Sequence, residues 1–197
     1  MRSMLLAGFV ALSAIAAIAP AHAQATGGIS ITHGGGNVNV ARGAFSGASQ
    51  SATTLGGIAS GHGLAITTGG NNRNVAAGAF SFAGQDTTTV GGTALGRGRV
   101  ITNGGGNLNV ARGFASTATQ STTTLGGTAF GHGASITNGG FNSNIASGAF
   151  SSADQQVVTL GGTAGRHGLS VVDGGANKNA AVGFGSSASQ QVFTGAQ

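Results

Sequence analysis

Cysteine, tryptophan and tyrosine are missing from the 197 residues. Glutamate is missing too, and Pro20 is the only proline. Small exported domains that cannot build a large core usually staple themselves with disulfides; without cysteine that route is closed. Charged residues make up 6% of the chain, and its three acids are Asp86, Asp154 and Asp173. These fall at three different places in the repeat described below, so no recurring carboxylate pair is available for acid–base chemistry. The net charge of +5 comes from cations scattered singly, such as Arg42, Arg73, Arg112 and Lys178. With no basic cluster and no interleaved aromatics, a specific nucleic-acid interface is not expected. Weak contact with an anionic polymer or a cell surface is compatible with this charge.

Residues 1–23 read as a signal peptide. Arg2 supplies the positive end, Leu5 to Ile18 the apolar stretch, and Ala21-His22-Ala23 the small-residue cleavage site. The apolar run is too short for a permanent membrane span, and no second one follows. The mature chain is therefore expected outside the cell, secreted or at a bacterial surface.

What is present is repetition. Asn39, Asn74, Asn109, Asn144 and Asn179 stand 35 residues apart without an insertion. So do Gln50, Gln85, Gln120, Gln155 and Gln190, and Ser46, Ser81, Ser116, Ser151 and Ser186. Uninterrupted spacing implies that each copy meets its neighbours in one way. The copies divide as 34–68, 69–103, 104–138, 139–173 and a partial 174–197, preceded by a lead-in at 24–33.

Within a copy, Asn37, Asn39 and Ala41 share one parity, with Val38 and Val40 on the other. Period two is the mark of strands. Glycine pairs such as Gly56-Gly57 and the Gly61-His62-Gly63 break supply the turns. Ala41-x-Gly43 is echoed at Ala59-x-Gly61 and again at Ala76-x-Gly78, as if each repeat held two related halves. The expected fold is all-β: a β-solenoid of 35-residue repeats, each contributing two strand-turn-strand rungs. Roughly nine rungs at about 4.8 Å would give a slab about 45 Å long.

Stacked in register, each Asn39-type and Gln50-type amide lies over its counterpart and can bond along the stack. Ser46 can do the same through its hydroxyl. For Asn37, a ladder and a turn position are both open. Val40, Leu55 and Ile66 with their counterparts are expected to form the apolar strip, and Phe45, Phe80 and Phe150 to add bulk. His62, His132 and His167 share one position with Arg97. Because arginine is not an ordinary metal ligand, an exposed polar turn is the reading taken over a metal or pH-sensing column. No metal, cofactor or catalytic residue is expected. The glycine stretches never continue into Gly-Lys-Ser/Thr, so no phosphate loop is indicated.

The run GNVNVARGAFSGASQ resembles the Asn-x-Ala-x-Gly and Gln-containing repeats of curli and Fap-type fibre proteins, bacterial functional-amyloid subunits. The resemblance implies that the Asn39, Ser46 and Gln50 columns are the stacked ladders of an assembling fibre. Curli repeats are shorter and carry Gln on both sides of the turn; here one Gln column is complete, and Phe45 stands about where a second would fall. NIASGAFSSADQ is also similar to repeats in head domains of trimeric autotransporter adhesins. Those proteins continue into a stalk and an anchor, whereas this chain ends at QQVFTGAQ.

The function expected is a secreted, self-assembling structural protein of a curli-like fibre, fimbrium or biofilm matrix, without enzymatic activity. Its partner would be itself, with a nucleator or secretion factor. The alternative is a surface adhesin or a carbohydrate- or ice-binding solenoid using Thr53, Thr54 and Thr67.

Overall fold

A computed structural model describes residues 24–26 and 28–196. The signal peptide expected at 1–23 lies outside them. The described chain is all β, wound into five coils of four strands each. The first coil contains β1 (Gln24–Thr26), β2 (Ile29–His33), β3 (Gly36–Arg42) and β4 (Phe45–Leu55). The second repeats them as β5 (Ile58–Ser60), β6 (Leu64–Thr68), β7 (Asn71–Ala77) and β8 (Phe80–Val90). The third holds β9 (Thr93–Ala94), β10 (Arg99–Asn103), β11 (Gly106–Arg112) and β12 (Ala115–Leu125). The fourth holds β13 (Thr128–Ala129), β14 (Ala134–Asn138), β15 (Phe141–Ser147) and β16 (Ser152–Leu160). The fifth ends the series with β17 (Thr163–Ala164), β18 (Leu169–Asp173), β19 (Ala176–Val182) and β20 (Ser187–Gly195). Residues 24–33 thus carry the first two strands of the first coil.

Equivalent strands pair in parallel and build four five-stranded sheets along one axis. The register is 35 residues at every step but one: Ala41 pairs with Ala76 and Gln50 with Gln85, while β1 pairs with β5 at an offset of 34, Gln24 against Ile58. This corrects the expectation of two rungs per repeat. Ala59 pairs with Ala94 and not with Ala41. The two Ala-x-Gly halves lie on different sheets within one 35-residue circuit of the chain. Five coils at about 4.8 Å each span about 24 Å, half the length expected from nine rungs.

Glycine makes the corners possible. Between β2 and β3 the chain turns at Gly34-Gly35, and Gly35 has φ +69°, a value that residues with a Cβ rarely adopt. A Cβ on Gly34 would collide with Thr54 Oγ1 and the backbone nitrogen of Gly70.

The interior holds the second correction. Two alanine cores form, one from Ala41, Ala48 and their counterparts, the other from Ala59, Ala65, Ala94, Val100 and Ala129. Everything else buried beside them is mostly Asn, Gln, Ser and Thr. The apolar strip expected inside is not the core: Val40 is 45% exposed, Leu55 and Ile66 are half-buried, and of the Val40 column only Val110 is buried, at 6%. All nine described phenylalanines are exposed, from Phe82 at 47% to Phe184 at 80%. Parity is the reason. With Asn39 and Ala41 turned inward, Val38 and Val40 must point out. What holds the coils together is backbone hydrogen bonding along the axis, reinforced by small side chains that fit a narrow interior.

Candidate functional site: the stacked amide columns and their open ends

The Asn37 column is a continuous ladder. Asn37 Nδ2 donates to Asn72 Oδ1 at 2.9 Å, Asn72 to Asn107 at 2.9 Å, Asn107 to Asn142 at 2.8 Å, and Asn142 to Asn177 at 2.8 Å. Of the two readings left open for Asn37, the geometry is that of a ladder. The chain pattern alone did not separate them, because asparagine suits both.

The Asn39 column bonds in the same direction from its second member onward. Asn74 Nδ2 donates to Asn109 Oδ1 at 3.0 Å, Asn109 to Asn144 at 2.9 Å, and Asn144 to Asn179 at 3.0 Å. Each of these nitrogens also faces two backbone carbonyls. For Asn74 they are Ala48 O of the preceding coil at 3.0 Å and Gly84 O of its own coil at 2.7 Å. Carbonyls accept and never donate, so they set which end of the amide is nitrogen. The first step is different: Asn39 Nδ2 donates to Ser49 O at 2.7 Å, and Asn74 Oδ1 is buried without a donor.

The Gln column runs the opposite way. Gln85 Nε2 donates back to Gln50 Oε1 at 3.2 Å, Gln120 to Gln85 at 2.7 Å, Gln155 to Gln120 at 2.6 Å, and Gln190 to Gln155 at 2.7 Å. All five coils take part.

Serine behaves otherwise. Ser81 Oγ donates to Arg112 O and Ser116 Oγ to Ser147 O, both backbone carbonyls of the next coil. One hydroxyl-to-hydroxyl contact forms, Ser151 to Ser186 at 3.2 Å, and Ser186 also donates to Gly183 O at 2.6 Å. Ser46 Oγ is buried without a partner. A hydroxyl reaches less far than an amide, so Ser81 and Ser116 bond to a backbone carbonyl of the next coil rather than to the serine counterpart there.

Thr54 and Thr67, on which a solvent-facing threonine array would rest, point inward; Thr67 is fully buried and Thr54 is 6% exposed. Thr53 alone of the three faces out. His132 and His167 stack with ring centroids 5.4 Å apart at the exposed corner before the second sheet. Among the described residues no three His, Asp, Glu or Cys side chains are grouped to hold a metal ion.

The corner between the third and fourth sheets carries an aromatic in every coil: Phe45, Phe80, Phe114, Phe150 and Phe184. Phe45 and Phe80 stack at 5.1 Å, while Phe114, Phe150 and Phe184 meet edge to face at 5.6 and 5.8 Å. Phe150 keeps its place in this ridge at φ +54°, where Gly185 stands in the next coil at +65°. For a bulky residue that conformation is strained, by about 1–3 kcal/mol. The ridge went unnoticed in the sequence because Phe114 and Phe184 sit one position earlier in the repeat than the other three.

Among the described residues all four sheets finish in edge strands at the two ends of the solenoid. These are β1 to β4 at one end and β17 to β20 at the other. No described helix is long and apolar enough to cross a membrane. Comparison with family models, with curated proteins and with solved structures finds no match to this chain.

Proposed function

We propose that this is an exported structural protein that assembles with copies of itself, end to end, into a curli-like fibre or biofilm-matrix element. The observation that carries this reading is that the described sheets finish in edge strands, with β17 to β20 at the C-terminal end and β20 exposed along nearly its whole length. Unpaired edges are templates for another chain. Natural sheets blunt them with proline, charge or bulges, yet β20 has no charged residue and no proline among its nine residues. Export is supported by the pattern of residues 1–23, and a structural rather than catalytic role by aspartates that sit in three different columns.

Analytical ultracentrifugation after dilution from denaturant tests the assembly, with electron microscopy and fibre diffraction of aged protein beside it. Growing oligomers and a strong reflection at about 4.7–4.8 Å along the fibre are expected. A folded species that stays monomeric at all concentrations overturns the proposal.

The exposed aromatic ridge favours a second reading, an adhesive surface module. Adsorption of soluble protein to an apolar surface, reduced by Phe114→Ser, would support it.

A further inference from the structure

The interrupted first step of the Asn39 column and the opposed directions of the ladders have a common consequence at the two ends. At the C-terminal end Asn177 Nδ2 donates to Gly174 O, and Asn179 Nδ2 to Ala153 O and Ser189 O, without the next-coil Oδ1 that Asn142 and Asn144 reach. Gln190 Nε2 donates to Gln155, and its Oε1 has no donor among the described residues. At the N-terminal end, among the described residues, Asn37 and Asn39 Oδ1 receive no amide donor from a preceding coil, and Gln50, which accepts from Gln85, has no acceptor for its Nε2. Measured against an inner coil, one face therefore lacks two Oδ1 acceptors and one Nε2 donor, and the other carries groups of that kind.

A fourth pair completes the set. Asn74, Asn109, Asn144 and Asn179 each donate to a carbonyl of the preceding coil, namely Ala48 O, Ala83 O, Ala118 O and Ala153 O. The spacing is 26 residues in each case. Among the described residues no preceding coil supplies this carbonyl to Asn39, whose Nδ2 donates to Ser49 O. The equivalent group is Ala188 O on the open edge of β20 in a second copy.

We propose that the two ends are complementary docking faces, stacked head to tail, so that β20 of one copy pairs with β4 of the next in the internal register. This deepens the self-assembly reading and rests on it. Asn179 then lies over Asn39 of the next copy, Gln190 over Gln50, and every amide column runs on through the junction. Head-to-head contact would set acceptor against acceptor and leave the Asn39 nitrogen short of its carbonyl, so the fibre has a direction.

Thiol trapping tests this, because the chain has no cysteine and both Ser49 and Ser189 are exposed. Neighbouring strands lie about 4.7–4.9 Å apart, within the usual Cα span of a disulfide. Ser49→Cys and Ser189→Cys are made as separate variants and oxidised alone and as a 1:1 mixture. Crosslinked dimers in the mixture only are expected, and a ladder of multimers from the double variant. Self-crosslinking of Ser49→Cys alone, or an uncrosslinked mixture while wild type forms fibres, overturns the head-to-tail arrangement and leaves self-assembly standing. Wild type that never assembles removes both.

The amides are tested by Gln50→Glu. This substitution keeps an oxygen for Gln85 but loses the outward donor. Roughly tenfold weaker end-to-end association is expected, with the outward-facing Ser51→Glu as the charge control. Equal weakening by both, or none by Gln50→Glu, overturns the amide complementarity.

Discussion

Gln155 Nε2 donates to Gln120 Oε1 at 2.6 Å, with both side chains buried, although the residues stand 35 apart in the chain. A buried amide that touches its own counterpart in the next coil gains a partner only while the register holds. The column is therefore sensitive to where it is broken. Gln120→Leu leaves Gln85 Oε1 and Gln155 Nε2 both unpaired, at about 1–3 kcal/mol each. Gln50→Leu strands only the Gln85 nitrogen. Urea unfolding should show the larger midpoint loss for Gln120→Leu, and equal losses would contradict the ladder. In seeded growth followed by thioflavin-T the order should reverse, since Gln50 and Gln190 lie at the growing ends.

The interior alanines leave no room. Ala118 is fully buried in the core shared by the third and fourth sheets. Ala118→Val should cost about 1–3 kcal/mol through overpacking. Phe114→Ser, on the exposed ridge, should stay within about 0.5 kcal/mol of wild type. Thermal unfolding of the two variants reads the contrast directly. A costly Phe114→Ser would mean the ridge is covered in solution.

Glycines in the repeat should divide sharply by position. A Cβ on Gly126 would run into Thr137 Oγ1 and the backbone of Gly162, whereas one on Gly47 would meet nothing within 4 Å. Gly126→Ala should therefore weaken or abolish folding. Gly47→Ala, near the start of β4, should be neutral or stabilise by roughly 0.5–1 kcal/mol. Circular dichroism and denaturant midpoints would show it. Similar behaviour of both variants would contradict the corner packing.

Several buried threonines carry a hydroxyl with no partner among the described residues, and Thr122 is one. Its counterpart one coil on is Val157, itself 1% exposed. Thr122→Val should raise stability, by up to about 1 kcal/mol, because burying an unbonded hydroxyl is unfavourable. A clear loss in the urea midpoint would show that the hydroxyl is bonded in solution.

Much of this architecture is determined by the sequence alone. The 35-residue period, the parity of each strand, the glycine corners and the identity of the Asn39 and Gln50 columns all follow from spacing, because a stack without insertions repeats every neighbour relation. Two matters were decided only by the tertiary structure. Alternation with period two defines two faces of a strand but does not say which one is enclosed. The usual assignment, apolar inside, fails here because the coils are joined by backbone hydrogen bonds along the axis. Their narrow interior admits alanine, serine and threonine, an occasional valine such as Val100, and amides that satisfy one another, so phenylalanine and valines such as Val38 and Val40 are left outside. Nor can spacing tell a half-repeat that stacks on its neighbour from one that faces it across a coil. Ala41 and Ala59 look like successive rungs in the chain, yet they lie on different sheets of a single turn, because only a full 35-residue circuit brings the backbone back over its own start.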